Sequence, residues 1–261
     1  MLADLTAGAV EDARTREAQY PLAEVERRAV AQFPARDALA ALAPAERVKV
    51  IAEVKRASPS RGDLAAIPDP AHQALLYEEG GASAISVLTE GRRFKGSLAD
   101  LETVKTAVSL PVLRKDFIAT PYQVLEARAA GADIVLLIVA ALDQPTLRAL
   151  HELVLQLGMT PLVEAHSADE VARAVDVGAA LIGVNARDLT TFELDRDLFG
   201  RLAGRIPAGV VKVAESAVKT PADVVHYRAA GADVVLIGEA LVTGDPVATL
   251  RSFLTDTEAS A

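Results

Sequence analysis

One short phrase recurs along the chain and predicts where helices lead into strands. Residues 129–138 read Ala-Ala-Gly-Ala-Asp-Ile-Val-Leu-Leu-Ile, and residues 229–238 read Ala-Ala-Gly-Ala-Asp-Val-Val-Leu-Ile-Gly. Weaker copies surround Gly81 and Gly178. In each copy a helical pattern ends at a glycine, which suits a left-handed residue after a helix, and an apolar run rich in β-branched residues follows. Each copy therefore predicts a helix that passes directly into a strand.

The spacing of these copies predicts the fold. Their glycines lie 50, 47 and 53 residues apart, which is too long for one strand–helix unit and suits two. Apolar runs in the gaps complete eight predicted strands, with amphipathic segments between them. Strict alternation of this kind predicts a parallel sheet covered by helices, and eight units favour an α/β fold of the (β/α)8 TIM-barrel type. The predicted strands are 48–54, 84–88, 112–113, 134–139, 161–163, 181–184, 210–214 and 234–237.

The remaining segments are predicted to belong to the same domain. The chain has 261 residues, close to the roughly 250 of a single barrel. Residues 1–45 read as an extension of two or three helices, broken at Pro21 and Pro34, that packs against or across the bottom of the barrel. Residues 46–254 form the predicted barrel, and residues 255–261 a short polar tail.

Charge and composition exclude several classes of function. The formal net charge of −9 repels nucleic-acid phosphates and anionic membrane surfaces. The longest apolar run, residues 134–142, is far shorter than the roughly 20 residues of a membrane helix. The absence of cysteine excludes disulfides and thiol chemistry, and the first residues lack the pattern of a secretory signal. We expect a cytoplasmic protein that binds neither nucleic acid nor membranes, a monomer by preference with a dimer as the alternative.

Charged and polar side chains cluster where the predicted strands end. A charge buried in a parallel barrel lowers the stability of the fold by several kcal/mol unless it forms an ion pair, so such a charge indicates either an ion pair or a role in binding or catalysis. Catalytic groups of barrel enzymes lie at the carboxyl ends of several strands. The first strand carries Glu53 and Lys55 on one face, because these residues are two positions apart. The set is Glu53, Lys55, Lys115, Glu164, Asn185, Glu215 and Ser216.

Lysines and glutamates that converge on a dry cleft suit proton transfer to and from a carbonyl or hydroxyl group. A lysine could also form a Schiff base, so these residue types leave both chemistries open. The structural alternative for Glu53 and Lys55 is a buried ion pair without chemistry, and for Asn185 it is an ordinary turn residue.

The turns after the last two strands suit a phosphate group. Ser216-Ala217 and Gly238-Glu239 combine small residues with predicted helix starts, as in many barrel enzymes, although an ordinary tight turn is the alternative. Phe94 and Phe117 near the mouth could stack on a planar ring or simply pack under a loop. We predict no metal and no cofactor, since the four histidines lack ligand spacing and only His166 lies near a strand end.

Six blocks of the sequence form one pattern of order and spacing: Ile51 to Ser60, Ser86 to Glu90, Leu113 to Phe117, Val135 to Val139, Gly183 to Leu189 and Val213 to Ser216. In this order and spacing they resemble the indole-3-glycerol phosphate synthase family, and the resemblance covers residues 48–254. It implies a lyase of tryptophan biosynthesis that acts without a metal. Such an enzyme converts 1-(2-carboxyphenylamino)-1-deoxyribulose 5-phosphate into indole-3-glycerol phosphate and releases carbon dioxide and water.

The resemblance also implies roles for individual residues. Lys115 would be the general acid of ring closure, and Lys55 would bind the departing carboxylate and donate a proton in dehydration. Glu164 would stabilise the developing cation or act as a base, a role that Glu53 would share, and Asn185 would bind substrate and intermediate. The division of labour between the two lysine–glutamate pairs stays open. Further implied contacts are Glu215 and Arg187 as supports, Phe94, Phe117, Leu136 and Leu189 around the aromatic ring, and Ser58, Ser216 and the backbone of Gly238 and Glu239 at the phosphate.

Two positions depart from the family pattern. Ala217 stands where glycine usually follows Glu-Ser, and Glu239 stands where serine commonly follows glycine. We expect Ala217 to be tolerated with a negative φ, and the carboxylate of Glu239 to point away from the bound anion. The alternatives kept open are another phosphosugar barrel enzyme, such as an aminoribulose phosphate isomerase, and a catalytically silent barrel that binds a phosphorylated ligand.

Overall fold

Eight parallel strands form a closed barrel in the computed structural model, which describes residues 1–188, 191 and 193–255. Each strand pairs with its neighbours in sequence, and the last pairs with the first. The predicted (β/α)8 TIM barrel is confirmed. The strands are β1 Lys49–Val54, β2 Ala84–Leu88, β3 Val112–Lys115, β4 Ile134–Ile138, β5 Thr160–Ala165, β6 Leu181–Asn185, β7 Val211–Glu215 and β8 Val234–Ile237.

Side chains along each strand point alternately into the barrel and outward to the helices, which divides the core into two layers. In β6, for example, Leu181 lies in the apolar cluster inside the barrel, whereas Ile182 and Val184 pack outward against the helices. Along several strands the inner positions change from apolar near the amino end to polar near the carboxyl end, as from Leu181 to Asn185 in β6. The polar positions therefore converge on one end of the barrel.

Helices follow the strands and cover the outside. The glycines of the repeated phrase, Gly81, Gly131, Gly178 and Gly231, all have φ between 80° and 99°, so each ends a helix in the left-handed conformation as predicted. Proline or a capping side chain begins most helices. The helices of the barrel are α4 Pro70–Gly80, α5 Leu98–Ala107, α6 Pro121–Ala129, α7 Gln144–Gln156, α8 Ala168–Asp176, α9 Leu198–Ala203, α10 Pro221–Ala229 and α11 Pro246–Thr255, with 3₁₀ turns at Val139–Ala141 and Glu239–Leu241.

Three helices precede the barrel: α1 Leu2–Gln19, α2 Leu22–Ala31 and α3 Ala38–Ala41. The expectation that this extension lies at the barrel bottom holds only for its last part. There the backbone N–H of Arg36 donates to Asp133, at the amino end of β4, over 2.7 Å.

The first helix lies elsewhere, which corrects the prediction. Glu11 and Asp12 of α1 accept hydrogen bonds from Arg92 in the loop after β2, over 2.6 to 2.9 Å. That loop belongs to the carboxyl end of the barrel, so α1 reaches the rim of the polar end. The apolar periodicity of α1 could not reveal this, because the contact depends on a partner 80 residues away.

Within the described ranges, no helix combines the length and apolar character needed to cross a membrane. Helix α11 extends to Thr255, the first residue of the predicted tail, and residues 256–261 lie outside the described part of the chain.

Candidate active site

The polar residues at the carboxyl ends of the strands surround a single cavity. Glu53, Glu164, Asn185 and Glu215 are each at most 5% exposed. Leu189 lies outside the described residues. The structure brings the other predicted site residues together in the cavity wall: Glu53, Lys55, Ser58, Phe94, Lys115, Phe117, Leu136, Glu164, Asn185, Arg187, Glu215, Ser216, Ala217, Gly238 and Glu239.

Lys115 is the centre of the inner charge cluster. Its Nζ lies 2.9 Å from Oε2 of Glu164 and 3.3 Å from Oε2 of Glu215. The side-chain amide of Asn185 donates to Oε1 of Glu164 over 3.2 Å. These residues end or nearly end β3, β5, β6 and β7, so closure of the barrel is what brings them into contact.

The protonation states within this cluster follow from its charges. Burial acts to lower the pKa of Lys115, but the carboxylates of Glu164 and Glu215 outweigh it and raise the pKa above its usual range. Burial raises the pKa of Glu215 well above normal, and the neighbouring charge of Glu164 adds to this effect. Lys115 opposes burial at Glu164 and lowers the pKa of that carboxyl. The cluster therefore favours the ammonium form of Lys115 and the carboxylate form of Glu164, and it disfavours a second carboxylate at Glu215.

A second lysine–glutamate pair lies on β1 and just after it. Lys55 Nζ is 2.6 Å from Oε1 of Glu53, and Ser86 of β2 donates to the other carboxylate oxygen over 3.4 Å. Glu53 and Lys55 occupy the space that a side chain at position 238 would need. A Cβ on Gly238 would lie only 2.6 Å from Glu53 Oε1 and 2.9 Å from Lys55 Nζ. The role of glycine at position 238 is therefore to admit the pair.

Aromatic side chains line another wall of the cavity. The rings of Phe94 and Phe117 lie 6.1 Å apart at an interplanar angle of 43°, and Leu136 of β4 joins the same apolar cluster. Glu90 fixes the loop of Phe94 by accepting the backbone N–H of Phe94 over 2.9 Å and that of Arg93 over 2.7 Å. This wall offers an apolar, partly aromatic surface to a planar group.

The turns after the neighbouring strands β7 and β8 both line the cavity. Ala217 has φ of +60°, so the expectation of a negative φ is wrong. Ser216 before it has φ of +69°, and its hydroxyl donates to Oδ1 of Asn185 over 2.8 Å. A side chain in this left-handed region costs roughly 1–2 kcal/mol, which the surrounding turn must offset.

The carboxylate of Glu239 is held by a charge from the loop after β1. Nη2 of Arg61 lies 2.5 Å from Oε1 of Glu239. Arg61 and Ser58 belong to a short hairpin, Ala57–Ser58 with Gly62–Asp63, and Lys95 of the next loop pairs with Asp63 over 2.6 Å. Arg61 thus neutralises the residue that departs from the family pattern.

Sequence reasoning missed some residues of the site. Ser60 and Lys219 also line the cavity, in loops whose path the sequence did not predict. The sequence predicts no role in the site for His166, but its Nε2 lies 3.4 Å from Oε1 of Glu164. Its position two residues after Glu164 was the available signal. In the described part of the chain, no group of three or more His, Cys, Asp or Glu residues could hold a metal ion.

A closed barrel with buried lysine–glutamate pairs at the carboxyl ends of its strands defines a class, the TIM-barrel enzymes with an acid–base site. A sequence model of the indole-3-glycerol phosphate synthase family matches residues 2–253. A protein of that name from Leifsonia xyli subsp. xyli is 75% identical over 97% of both chains. Another from Parafrankia sp. is 59% identical over 98% of this chain and 94% of its own. The chain therefore belongs to the indole-3-glycerol phosphate synthase family, and it is a carboxy-lyase.

Solved structures of other proteins share the fold alone. A thiamine phosphate pyrophosphorylase from Pyrococcus furiosus matches with a TM-score of 0.61 at 14% identity, over 82% of this chain and 96% of its own. An N-acetylmannosamine-6-phosphate 2-epimerase from Clostridium perfringens matches equally well, with a TM-score of 0.61 at 14% identity over 81% of this chain and 93% of its own.

Proposed function

We propose that this site closes the indole ring. The chain converts 1-(2-carboxyphenylamino)-1-deoxyribulose 5-phosphate into indole-3-glycerol phosphate, carbon dioxide and water, as a step of tryptophan biosynthesis. One observation carries the assignment of residues: two lysines, each paired with a glutamate, face one cavity that has an aromatic wall and small-residue turns after β7 and β8.

Lys115 is the acid of the first step. The ring carbon that bears the carboxylate attacks the ribulose carbonyl carbon, and the carbonyl oxygen takes a proton from Nζ. Glu164 and Glu215 favour the ammonium form of Lys115, so the proton is present when the substrate binds. The positive charge that develops on the ring lies near the ionised Glu164, which stabilises it.

Lys55 serves the two following steps. Its ammonium group binds the substrate carboxylate, which leaves as carbon dioxide while the bonding electrons return to the ring. Lys55 then protonates the hydroxyl that departs as water. Glu164, with Glu53 as partner of Lys55, removes the carbon-bound proton that completes the indole.

The remaining residues bind and orient the substrate. The side-chain amide of Asn185 donates to Glu164 and accepts a hydrogen bond from Ser216. Asn185 therefore lies between the proposed acid–base residues and the proposed phosphate-binding turn. The Arg61–Glu239 ion pair supports phosphate binding there, because it compensates a carboxylate that would otherwise repel the anion. The proposed contacts are Phe94, Phe117 and Leu136 at the aromatic ring, Arg187 and Glu215 as supports, and Ser58, Ser216, Ala217, Gly238 and Glu239 at the phosphate. The family resemblance adds Leu189 at the ring.

The test is to mix the purified chain with the carboxyphenylamino-deoxyribulose phosphate in the presence of EDTA and to follow indole fluorescence and carbon dioxide together. Equal amounts of both products are expected. An isomerase would release no carbon dioxide, and a silent barrel would yield neither product. Lys115→Ala should lower kcat by a factor of about 100 or more while substrate still binds, and Lys55→Ala should weaken binding as well. Normal turnover of Lys115→Ala would refute its role as the acid.

We also propose that residues 1–261 form a single domain, with the barrel at 46–254 after the extension 1–45, that works in the cytoplasm as a monomer. The lack of cysteine and the net charge of −9 support this setting. Light scattering should give a mass near 27.4 kDa, and twice that mass would indicate a dimer.

A further inference from the structure

Two buried carboxyl groups share one ammonium group at the centre of the site. Nζ of Lys115 lies 2.9 Å from Oε2 of Glu164 and 3.3 Å from Oε2 of Glu215, and both glutamate side chains are at most 2% exposed. A single positive charge in a buried place compensates a single carboxylate, so the two glutamates compete for the ionised form. Both roles proposed for Glu164, as stabiliser of a cation and as base, require that the negative charge lies on Glu164.

His166 lies next to one of these two glutamates. Its Nε2 is 3.4 Å from Oε1 of Glu164, the oxygen that Lys115 does not contact, and its Nδ1 is 3.3 Å from Oε2 of Glu170. In the described part of the chain, His166 forms ion pairs with these two carboxyl groups and with no other. A protonated imidazole at this position therefore distinguishes Glu164 from Glu215.

The backbone holds His166 in this position. It follows β5 directly, and its backbone N–H donates to Glu170 over 2.8 Å, while Ser167 caps α8 through the backbone N–H of Glu170. Nε2 of His166 is buried and, among the described residues, has no hydrogen-bond partner, so its attraction to Glu164 is that of an ion pair. His166 is absent from the described lining of the cavity and reaches the substrate only through Glu164.

The two flanking carboxyl groups favour the charged form of His166. A neutral ring carries one N–H and can present it to only one of them, whereas an imidazolium presents an N–H to each. The titratable groups that act on the ring are Glu164 of β5, Glu170 of α8 and Lys115 of β3. Burial acts to lower the pKa of His166, but the hydrogen bond with Glu170 and the charge of Glu164 outweigh it, so the pKa lies above its ordinary value of 6.5.

Given the proposed function, on which this inference rests, we propose that His166 is a positioning residue whose imidazolium group keeps Glu164, rather than Glu215, ionised and fixes its orientation. The ring attracts Oε1 of Glu164 while Oε2 stays on Lys115, and it keeps its own proton throughout the turnover. Burial acts to raise the pKa of Glu164, but the charges of Lys115 and His166 outweigh it and lower this pKa. Burial and the charge of Glu164 together raise the pKa of Glu215.

The pH profile of kcat in the unsubstituted chain and in His166→Gln tests this role. In the unsubstituted chain kcat should fall about tenfold as the pH rises through the pKa of His166, because the charged contact with Glu164 is then lost. His166→Gln should lack this step, with kcat about tenfold lower on the acid side of it and equal on the alkaline side. KM should change less than about twofold, since His166 does not line the cavity. His72→Gln, on the outer helix α4, is the matched control and should keep the step.

The ring can also be titrated without substrate, by nuclear magnetic resonance of the histidine side chains. The resonance that His166→Gln removes belongs to His166, and its pKa should lie above 6.5. Glu164→Gln should lower this pKa, because it removes the carboxylate that faces Nε2. Glu215→Gln should lower it less, since no ion pair in the described ranges joins this residue to the ring.

Each contrary result has a definite meaning. A loss of kcat in His166→Gln that is equal at every pH would show that His166 only supports the fold of the site, and full activity of this variant would equally overturn the proposal. So would a ring pKa that Glu164→Gln leaves unchanged. If the unsubstituted chain forms no indole product, the proposed function fails, whereas a ring pKa that falls in Glu164→Gln still supports the pairing of His166 with Glu164.

Discussion

Replacement of Gly183 by alanine should disable the site without a change in any ionisable residue. Gly183 lies in β6 and faces the barrel interior, opposite Glu164 of β5 in the ladder. A Cβ at this position would lie 2.1 Å from Oε1 of Glu215 and 3.2 Å from its Cδ. Since real Cβ contacts are essentially never shorter than 3.0 Å, the carboxyl group must move by about 0.9 Å or more.

Displacement of the Glu215 carboxyl group would disturb Lys115, the proposed acid. Oε2 of Glu215 lies 3.3 Å from Lys115 Nζ, and the side chain of Glu215 is only 2% exposed, so the group cannot escape into solvent. A misplacement of about 1 Å in a catalytic group can cost about 100-fold in rate. We therefore expect kcat/KM to fall about 100-fold, which corresponds to roughly 2.7 kcal/mol of transition-state stabilisation.

The measurement is the steady-state formation of indole-3-glycerol phosphate by Gly183→Ala. Gly183 does not have a positive φ, so the backbone itself accepts alanine. Gly204→Ala is the matched control, because a Cβ there meets no heavy atom within 4 Å and φ is −69°. This control should retain full activity.

A double-mutant comparison separates the mechanism from general damage. In a Glu215→Ala background the obstructing carboxyl group is gone, so adding Gly183→Ala should cost little further activity. If Gly183→Ala loses as much activity in that background as in the unsubstituted chain, or if it is fully active alone, the steric argument is refuted.

Three further predictions concern stability and binding. Arg114→Met should lower the free energy of unfolding by about 3–5 kcal/mol, because it removes the guanidinium group that lies 2.9 Å from Oδ2 of Asp116 and leaves that buried carboxylate without its ion pair. A melting temperature lowered by less than roughly 5 °C would contradict this. Arg61→Ala should raise the KM for substrate about fivefold, and the added change Glu239→Ser should reverse the loss; a KM that stays high in the double variant would contradict charge compensation. The raised pKa of His166 contributes stability that is full below about pH 6.5 and is lost as the pH rises through the folded-state pKa. In urea titrations, His166→Asn should therefore be more strongly destabilised at pH 5.5 than at pH 8.5, and a constant difference would rule this out.

Some contacts of the site follow from local geometry and could be inferred from the sequence. Glu53 and Lys55 are two residues apart, so they share a strand face, and they form the 2.6 Å pair. The partners of Lys115 could not be inferred in this way. Glu164 and Glu215 lie 49 and 100 residues further along the chain, and only barrel closure decides which carboxylate is closest.

The sign of φ at Ala217 and the place of α1 likewise depend on distant residues. Alanine by itself favours negative φ, but the turn between β7 and α10 imposes +60°. Helix α1 reaches the polar rim because Arg92 binds Glu11 and Asp12, which no local pattern in α1 indicates.

Local patterns in the amino-acid sequence establish the alternation of strands and helices, the eight-stranded barrel and the end of the barrel at which the charges lie. These properties follow from hydrophobic period, helix termini and strand polarity, which are local and repeat along the chain. Only closure of the barrel establishes which charges meet, in which direction their pKa values shift, and how closely glycines such as Gly183 and Gly238 let them approach. Those properties depend on distances between residues far apart in sequence, and such distances exist only once the barrel has closed.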